Sequence, residues 1–185
     1  MEMHHVLLDG QHDARQLRDA LGRFPTGVTV ITTQAPDGRL EGLTANSFSA
    51  LSLDPPLVLW SLNRRSASLA GFQQSGHFAI NVLSATQSAL SHRFATPQLN
   101  KFEGVGFKLG LGGSPVLDGV LARFECSTQD MIEGGDHVLF VGRVQKISYG
   151  KGEPLIFSSG RYCTALPMGG PSAESDLNGV WAGLG

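Results

Sequence analysis

The chain has 185 residues, which is enough for one domain with a substantial core. Hydrophobic residues make up 41% of the chain and charged residues 16%, a composition typical of a soluble globular protein and not of a disordered one. The 14 Lys and Arg residues against 16 Asp and Glu residues give a net charge of −2, which does not favour nucleic-acid binding. No apolar run is long enough to span a membrane, and Cys126 and Cys163 lack disulfide or metal spacing, so we expect a cytoplasmic protein.

The first part of the chain predicts one helix and three strands. Residues 13–24 place their apolar side chains on one helical stripe, and Pro25 ends this helix because its ring blocks continuation. The alternating residues 27–33 predict a strand, which a turn at residues 35–38 returns as a hairpin. A further strand at residues 56–62 is apolar on both faces, which indicates a central position in a sheet.

Two more short helices and a buried strand follow. Ser66 is predicted to cap a helix that ends at Gly76, and a capping box at residues 84–87 opens the next helix. The strand at residues 77–83 lies between the two helices. The glycine-rich residues 97–118 show little periodicity and predict a long loop, a feature that is often functional in a compact domain.

The last third of the chain predicts β-structure. Residues 121–130 alternate between two faces, and a turn at residues 133–136 leads into a strand at residues 137–149. Residues 154–162 predict a final short strand. About seven mostly antiparallel strands with short inserted helices favour a mainly β fold, a β-barrel, over a βαβ sheet.

This prediction divides the chain into one domain and two flexible ends. The barrel domain is expected over residues 13–166, after a flexible N-terminus at residues 1–12. The Gly/Ser/Pro-rich residues 167–185 lack periodicity and are expected to form a flexible tail.

The stretch SLNRRSASL, residues 61–69, predicts an anion site. Arg64 and Arg65 stand just before a predicted helix whose first turn carries Ser66 and Ser68. A helix N-terminus offers unpaired N–H groups and partial positive charge, and two arginines with two hydroxyls suit a phosphate. The alternative is an ordinary serine cap beside solvated arginines.

The stretch TANS, residues 44–47, ends a predicted strand beside apolar residues. Its polar groups must be satisfied by backbone or by a ligand if they are buried. Taken alone, the stretch is more typical of hydroxyls bonded to backbone. Because the strand at residues 56–62 leads directly to Asn63, we expect Ser47 and Ser66 near the same anion, so both stretches together favour a phosphorylated ligand with an apolar ring.

Other candidate residues do not predict catalysis by the protein alone. Asn81 in a buried strand and His137 at a hairpin start are more typical of structural residues, and neither His77 nor His92 has metal-ligand spacing with His137. Four carboxylates are expected at solvated strand and turn positions: Glu125, Asp130, Glu133 and Asp136. Without a nucleophile motif or a metal site, a cofactor is expected to carry the chemistry.

With these residues assembled, the sequence resembles the flavin reductase-like family, whose members adopt an FMN-binding split β-barrel of Greek-key type. The resemblance covers residues 17–166 and depends on motifs in a fixed order. These are FPTGVTVITT (24–33), GLTANSFSALSLDPPLV (42–58), SLNRRSASL (61–69), SGHFAINVLS (75–84), HRFA (92–95), KFEGV (101–105), GDHVLFVGRV (135–144) and PLIFSSGRY (154–162).

The resemblance also implies a site, residue by residue. The flavin and its phosphate would be held by residues of the two polar stretches: Thr44, Ala45, Asn46, Ser47, Ser61, Asn63, Arg64, Ser66 and Ser68. Asn81 and Phe94 would line the flavin pocket, and Lys101 would offset the phosphate charge. Tyr162 would close the pocket, and His137 would lie over the flavin ring and seat the nicotinamide.

The implied activity is that of an NAD(P)H-dependent flavin reductase, which passes a hydride from NADH or NADPH to FMN or FAD. Such an enzyme would supply reduced flavin to a partner monooxygenase. A homodimer is expected, with the flavin near its interface, since a single barrel is not expected to cover apolar strands such as LVLWSL (57–62). Two alternatives stay open: an electron-carrying flavin-binding module, and a split-barrel FMN oxidase of another small substrate, such as a pyridoxamine-phosphate-like compound.

Overall fold

A computed structural model of the chain describes residues 14–165. The two predicted flexible ends, residues 1–12 and 167–185, lie outside the described residues. Within the described part, all strand pairs are antiparallel and the three α-helices are short, which confirms the predicted mainly β fold. None of these helices is long and apolar enough to cross a membrane.

The helices and strands are bounded as follows. The helices are α1 (Ala14–Leu21), α2 (Leu69–Ser75) and α3 (Ser88–Ala95). The strands are β1 (Thr26–Gly27), β2 (Thr29–Gln34), β3 (Leu40–Ala45), β4 (Ser49–Leu53), β5 (Pro56–Asn63), β6 (His77–Val82), β7 (Phe107–Leu109), β8 (Pro115–Leu117), β9 (Ala122–Gly134), β10 (His137–Tyr149), β11 (Leu155–Ser158) and β12 (Arg161–Thr164).

The main sheet has the strand order β3-β2-β6-β9-β10-β5-β4, and its two edge strands are consecutive in the chain. Only residues 46–48 join β3 to β4. Because three residues span at most about 10 Å, the sheet must curve until its edges approach each other. We call this junction of β3 and β4 the barrel seam. Closing a sheet in this way protects strand edges that would otherwise be free to pair.

The barrel interior is filled by aromatic side chains. Trp60 of β5 stacks on Phe140 of β10 with ring centroids 4.6 Å apart, and Phe78 of β6 meets Trp60 edge-on at 5.7 Å. From α2, Phe72 adds a further edge contact to Trp60 at 5.0 Å, so this helix covers the aromatic cluster. Each of these four side chains is at most 1% exposed. Burial of each contributes about 1.5–3 kcal/mol to the stability of the barrel.

A second apolar cluster lies on the other face of β2 and holds α3 against the barrel. It contains Val28, Val30, Leu83, Phe94, Leu117 and Leu155. Gly42 of β3 makes this packing possible, because a Cβ atom there would lie 2.6 Å from the ring of Phe94. The absence of a side chain at Gly42 therefore lets α3 approach the strand closely.

Several sequence predictions are confirmed in detail. The turn at residues 35–38 connects β2 and β3, with Gly38 at φ 85°. The capping box precedes α3, where the Gln87 side chain accepts a hydrogen bond from the Ser84 N–H at 3.0 Å. The helix before Gly76 also ends as predicted, with Gly76 in the left-handed region at φ 72°.

Other predictions of secondary structure are wrong. Residues 97–118 are not one loop, since they include the β7–β8 hairpin. β4 was not predicted, and residues 154–162 belong to two paired strands, β11 and β12, joined by a turn with Ser159 at φ 48°. β5 alternates buried and half-buried positions instead of burying both faces, and it lies between β10 and β4.

The helix-cap prediction and one burial prediction also need correction. The N-cap of α2 is Ser68 and not Ser66, and the Ser68 hydroxyl does not cap the helix. Glu125 was expected in solvent but is 2% exposed. Its carboxylate accepts a hydrogen bond from the Leu111 N–H at 2.7 Å and pairs with the Lys146 ammonium at 2.9 Å.

Candidate functional site

The candidate site begins where β5 and β10 meet at the end of the barrel. In their antiparallel register His137 lies opposite Asn63, and Leu139 lies opposite Ser61. Directly opposed residues of neighbouring strands point to the same face of a sheet. The two stretches predicted to bind nucleotides, SLNRRSASL and GDHVLFVGRV, are thus brought together, although the sequence separates Asn63 from His137 by more than seventy residues.

This face is the outside of the barrel. The residues between the outward pairs, Leu62 and Val138, are at most 5% exposed and belong to the core. Four half-buried residues form the outward set, which we call the outer groove: Ser61, Asn63, His137 and Leu139. Its polar side chains are therefore accessible to a ligand, while the opposite face of the same strands packs the core.

Asp136 connects the two strand ends of the outer groove. Its Oδ1 atom lies 2.8 Å from Nδ1 of His137, and its Oδ2 atom accepts a long hydrogen bond of 3.5 Å from the Asn63 side-chain amide. The backbone carbonyl oxygen of Asp136 accepts a hydrogen bond from the Arg64 N–H at 2.9 Å. The hydrogen bond to His137 lowers the pKa of the Asp136 carboxyl, with a smaller contribution from the charge of Arg65.

Ser47 attaches the barrel seam to the same groove. Its hydroxyl accepts a hydrogen bond from the Ser61 N–H and donates one to the Ser61 carbonyl oxygen. At the preceding strand end, the Thr44 hydroxyl donates to the Ser91 carbonyl oxygen at 2.6 Å. The polar groups of TANS are therefore largely satisfied by backbone, which corrects the expectation that a flavin satisfies these hydroxyls.

Tyr162 contacts Ser91 of α3, the residue that also accepts the hydrogen bond from Thr44. Its hydroxyl lies 2.8 Å from the Ser91 hydroxyl, and its ring meets Phe157 edge-on at 5.7 Å. Tyr162 remains 40% exposed. Tyr162 and Thr44 thus both contact Ser91, and closure of a pocket by Tyr162 stays a prediction.

The predicted anion site is a loop and not a helix N-terminus, because α2 begins only at Leu69. Arg64 is paired with Glu133 across the end of the hairpin. The guanidinium of Arg65 makes no hydrogen bond or close ion pair among the described residues, and the Arg65 backbone N–H donates to the Asn63 side-chain oxygen at 2.9 Å. The Ser68 hydroxyl donates to Glu41 at 2.8 Å. Of the two arginines, Arg65 is thus the one available to an anion.

Two of the predicted flavin contacts lie in the core. Asn81 and Phe94 are both 0% exposed. The Asn81 amide donates to the Val30 carbonyl oxygen at 3.0 Å, and its side-chain oxygen accepts from the Leu117 N–H at 2.8 Å. These contacts satisfy the amide within the protein, as its structural interpretation predicts. The structure therefore does not support direct flavin contact by Asn81 or Phe94.

Lys101 also has partners within the protein. Its ammonium donates to the Phe94 carbonyl oxygen at 2.7 Å and to the Gly42 carbonyl oxygen at 3.1 Å. Burial lowers the pKa of Lys101, although the charge of Glu41 opposes this shift. Its charge is thus directed at β3 and at the end of α3, so a role in offsetting a phosphate stays a prediction.

Two clefts among the described residues, of about 360 and 400 Å³, lie away from the outer groove. One is lined by residues of α3 and the loop before β7, among them Arg93 and Glu103, and the other lies beside the β2–β3 turn. None of the predicted site residues lines either cleft.

Sequence reasoning missed two residues of this arrangement. Asp136 was interpreted as a solvated turn residue, although its position next to a histidine at a hairpin start was a usable signal. Ser91 carries no sequence signal, because its role depends on how α3 packs against β3.

The donors of the loop and the seam fit a nucleotide phosphate. Asn46, in the seam, and Arg65 offer an amide and a guanidinium that make no side-chain hydrogen bond within residues 14–165. Charged and amide donors are the groups that hold phosphate oxygens in proteins. The fold and site together define an antiparallel β-barrel whose outer groove, at the ends of β5 and β10, carries accessible polar side chains.

Comparison with known proteins identifies the family. The family described as "Flavin reductase like domain" matches residues 21–166, and the chain belongs to it. The chain is 44% identical over 162 residues to the FMN reductase (NADH) SmoA of Agrobacterium fabrum, which covers 88% of this chain and 92% of that protein. It is 43% identical over 156 residues to HsaB of Rhodococcus jostii, the reductase subunit of a flavin-dependent monooxygenase, covering 84% and 80% of the two chains.

A solved structure agrees with this assignment. The NADH:FAD oxidoreductase SgcE6 of Streptomyces globisporus, in complex with NAD and FAD fragments, superposes with a TM-score of 0.83 at 36% identity. The match covers 90% of this chain and all of that one. The protein is thus a flavin reductase-like enzyme, an oxidoreductase with the split-barrel fold, which confirms the family, fold and class of activity predicted from the sequence.

Proposed function

We propose that this enzyme oxidises NADH and reduces FMN or FAD at the outer groove. The observation that carries the proposal is the register of β5 and β10, which places His137 opposite Asn63 on an accessible face. This register brings the stretch predicted to hold the flavin next to the histidine predicted to seat the nicotinamide. The relatives support NADH as the donor, since SmoA is named for NADH and SgcE6 was solved with NAD and FAD fragments.

The bound flavin and nicotinamide supply the hydride-transfer chemistry, and the protein supplies positions and charges. The Asn46 amide and the Arg65 guanidinium would hold phosphate oxygens beside the end of β5. His137, 39% exposed in its side chain, lies at the other side of the groove, where it can contact a second ring. No acidic or basic side chain has to exchange a proton for the hydride to pass.

The reduced flavin would serve a partner monooxygenase. HsaB, which resembles this chain over four fifths of its length, is such a reductase subunit. The free thiols of Cys126 and Cys163 fit the reducing cytoplasm, where a partner of this kind would work.

We also propose a homodimer in which a second copy deepens the outer groove. On LVLWSL the inward side chains pack inside the barrel, whereas the outward Leu57 and Leu59 are half-buried and leave some apolar surface. The edge strand β4, next to β5, adds exposed apolar side chains, since Leu51 and Leu53 are 42% and 60% exposed. Light scattering at micromolar concentration should give twice the chain mass, and a monomer with bound flavin would contradict the proposal.

One experiment separates the proposed activity from its alternatives. Anaerobic mixing of the FMN-loaded protein with NADH should bleach the flavin absorbance, with one NADH oxidised for each flavin reduced. An electron-carrying module would leave NADH unoxidised and accept electrons only from another protein. An oxidase of a pyridoxamine-phosphate-like compound would be reduced by that compound and not by NADH. NADPH in place of NADH serves as the matched comparison for donor preference.

A further inference from the structure

Asp136 is held at three points of the site, although it lies in a hairpin turn. Its backbone carbonyl oxygen accepts from the Arg64 N–H at 2.9 Å, and its carboxylate contacts the Asn63 amide at 3.5 Å and His137 Nδ1 at 2.8 Å. Its side chain is 84% exposed, so burial does not force these contacts. Asp136 thus connects the loop after β5 to the first residue of β10.

The turn itself does not require an aspartate at this position. The residue that needs the left-handed conformation is Gly135, at φ 64°. The ladder between β9 and β10 closes directly at Gly134 and His137. A substitution at Asp136 that preserves side-chain size is therefore compatible with the hairpin, and the carboxylate is free to have another role.

The contact to His137 has a chemical consequence. An ionised carboxylate can only accept hydrogen bonds, so the Nδ1 atom of His137 must carry the hydrogen. In the neutral imidazole the other nitrogen, Nε2, is then an acceptor. A nicotinamide ring carries a carboxamide whose NH₂ group can donate to such an acceptor. The ring of His137 is also restrained in orientation, because Asp136 is fixed on Asn63 and Arg64.

We propose that Asp136 is a positioning residue for nicotinamide binding, which holds His137 in the Nδ1–H tautomer and ties it to the Asn63–Arg64 end of β5. The inference rests on the proposed function, because it assigns Asp136 a role through the histidine that seats the nicotinamide. Asp136 is a positioning residue and not a catalytic one in this proposal, since it is assigned to act through His137.

The first test is spectroscopic and needs no bound nucleotide. Nitrogen NMR of the histidine side chains at pH 8.5 should show His137 with its hydrogen on Nδ1. In Asp136→Asn the asparagine amide can donate to Nδ1, so the Nε2–H tautomer should become populated. Asp130→Asn removes an exposed carboxylate from the same hairpin without touching His137 and should leave the spectrum unchanged.

The second test is kinetic. Asp136→Asn should raise the KM for NADH about 3- to 10-fold, the loss expected from one hydrogen bond, with kcat within about twofold and FMN affinity unchanged. Asp136→Glu, which restores a carboxylate, should recover part of the KM. Because Asp136 is assigned to act through His137, the double variant Asp136→Asn/His137→Ala should be no worse than His137→Ala alone.

The outcomes that overturn the inference are distinct from those that overturn the activity. Additive losses in the double variant, or an unchanged His137 tautomer in Asp136→Asn, would show that Asp136 does not act through the histidine. If Asp130→Asn raised the KM for NADH as much as Asp136→Asn, the increase would be due to the loss of surface charge and not to the contact with His137. Failure of the wild-type protein to oxidise NADH would instead overturn the proposed function itself.

Discussion

The hydroxyl of Ser47 bonds both backbone groups of Ser61, accepting from its N–H at 3.0 Å and donating to its carbonyl oxygen at 3.2 Å. The ladder between β4 and β5 ends at the pair Ser49 and Leu59. Ser47 would be the next residue opposite Ser61 in that register, but its side chain makes the bonds that a strand backbone would make. The hydroxyl of Ser47 thus joins the barrel seam to β5, where the outer groove begins.

Ser47→Ala should therefore destabilise the protein, because two backbone groups of Ser61 lose their partner. Leaving half-buried donors and acceptors unsatisfied costs about 1–3 kcal/mol in free energy of unfolding. Urea denaturation measures the loss, and Ser49→Ala, whose exposed hydroxyl contacts only the Ala50 carbonyl oxygen, should change stability by less than about 0.5 kcal/mol. Unchanged stability of Ser47→Ala together with weak FMN binding would make Ser47 a flavin ligand instead.

Local signals in the sequence were sufficient to predict the elements that depend on near neighbours. The turn at Gly38, the capping box before α3 and the C-terminal glycine of α2 each involve a few consecutive residues. The strand β4 was missed although it pairs with β5 across a tight turn. Four of the five residues of Ser49–Leu53 are exposed, so the strand lacks the buried, alternating face that predicts a strand from sequence.

In the site, too, features carried by neighbouring residues could be predicted, and contacts between distant segments could not. The polar stretches at Ser47 and Asn63 were recognised from composition, and the resemblance supplied the role of His137. The sequence could not show that Asn81 is enclosed, since its partners come from β2 and β8. Nor could it show that Glu125 is buried, because the Leu111 N–H that binds it lies at the tip of the unpredicted β7–β8 hairpin.

Glu125→Gln tests this buried carboxylate through the pH dependence of stability. Burial opposes ionisation, but hydrogen bonds from Lys146 and Leu111, with nearby positive charge, lower the pKa of Glu125 below its ordinary value of 4.5. A lowered pKa in the folded state gives stability that is present above pH 4.5 and lost as pH falls through the folded value.

At pH 7 we therefore expect Glu125→Gln to unfold more easily than the wild type, by about 1–3 kcal/mol, and the difference should shrink below pH 4.5. Urea denaturation at several pH values measures this difference. Glu153→Gln, an exposed carboxylate, is the matched control. A constant difference from pH 7 to pH 3 would indicate packing and not charge.

Cys126 provides a test at alkaline pH. Burial, with the neighbouring charge of Glu125, raises the pKa of the Cys126 thiol from 9.0 to about 12. A raised folded pKa means that stability is complete below pH 9.0 and falls as pH rises toward 12, because only the unfolded chain ionises in this window.

The wild type should thus lose up to about 1.4 kcal/mol per pH unit relative to Cys126→Ala above pH 9.0. Cys163→Ala, which removes the exposed thiol, should show the same pH dependence of stability as the wild type.

A thiol reagent at pH 8 should modify Cys163 in the native protein and both cysteines only after unfolding. Rapid native modification of Cys126 would contradict its burial.

His137→Ala tests the nicotinamide site. The variant should keep nearly the wild-type affinity for flavin but raise the KM for NADH or slow flavin reduction, because one positioning contact is lost. A loss of about 1–3 kcal/mol corresponds to roughly 5- to 150-fold in kcat/KM. Stopped-flow reduction measures it, with His92→Ala, an exposed histidine on α3, as the control. Wild-type kinetics would make His137 structural and direct the search for the nicotinamide site to residues 97–118.

The loop after β5 is tested by comparing FMN with riboflavin, which lacks the phosphate. Ser66→Ala combined with Arg64→Ala should weaken FMN binding at least tenfold more than riboflavin binding, since charge-assisted contacts contribute about 1.5–3 kcal/mol each. Arg64 is already paired with Glu133, whereas the Arg65 guanidinium makes no hydrogen bond or close ion pair within residues 14–165. We therefore expect Arg65→Ala alone to lower FMN affinity more than Arg64→Ala alone.

Fluorescence titration of each variant with both flavins measures these affinities. Arg143→Ala, which removes an exposed arginine from β10 outside the loop, controls for the change in net charge and should affect neither ligand. If the loop binds the phosphate, the FMN affinity of the variants should fall to that of riboflavin and no further, because only the phosphate contacts are lost. Equal losses for FMN and riboflavin would mean that Arg64, Arg65 and Ser66 shape the loop without touching the phosphate.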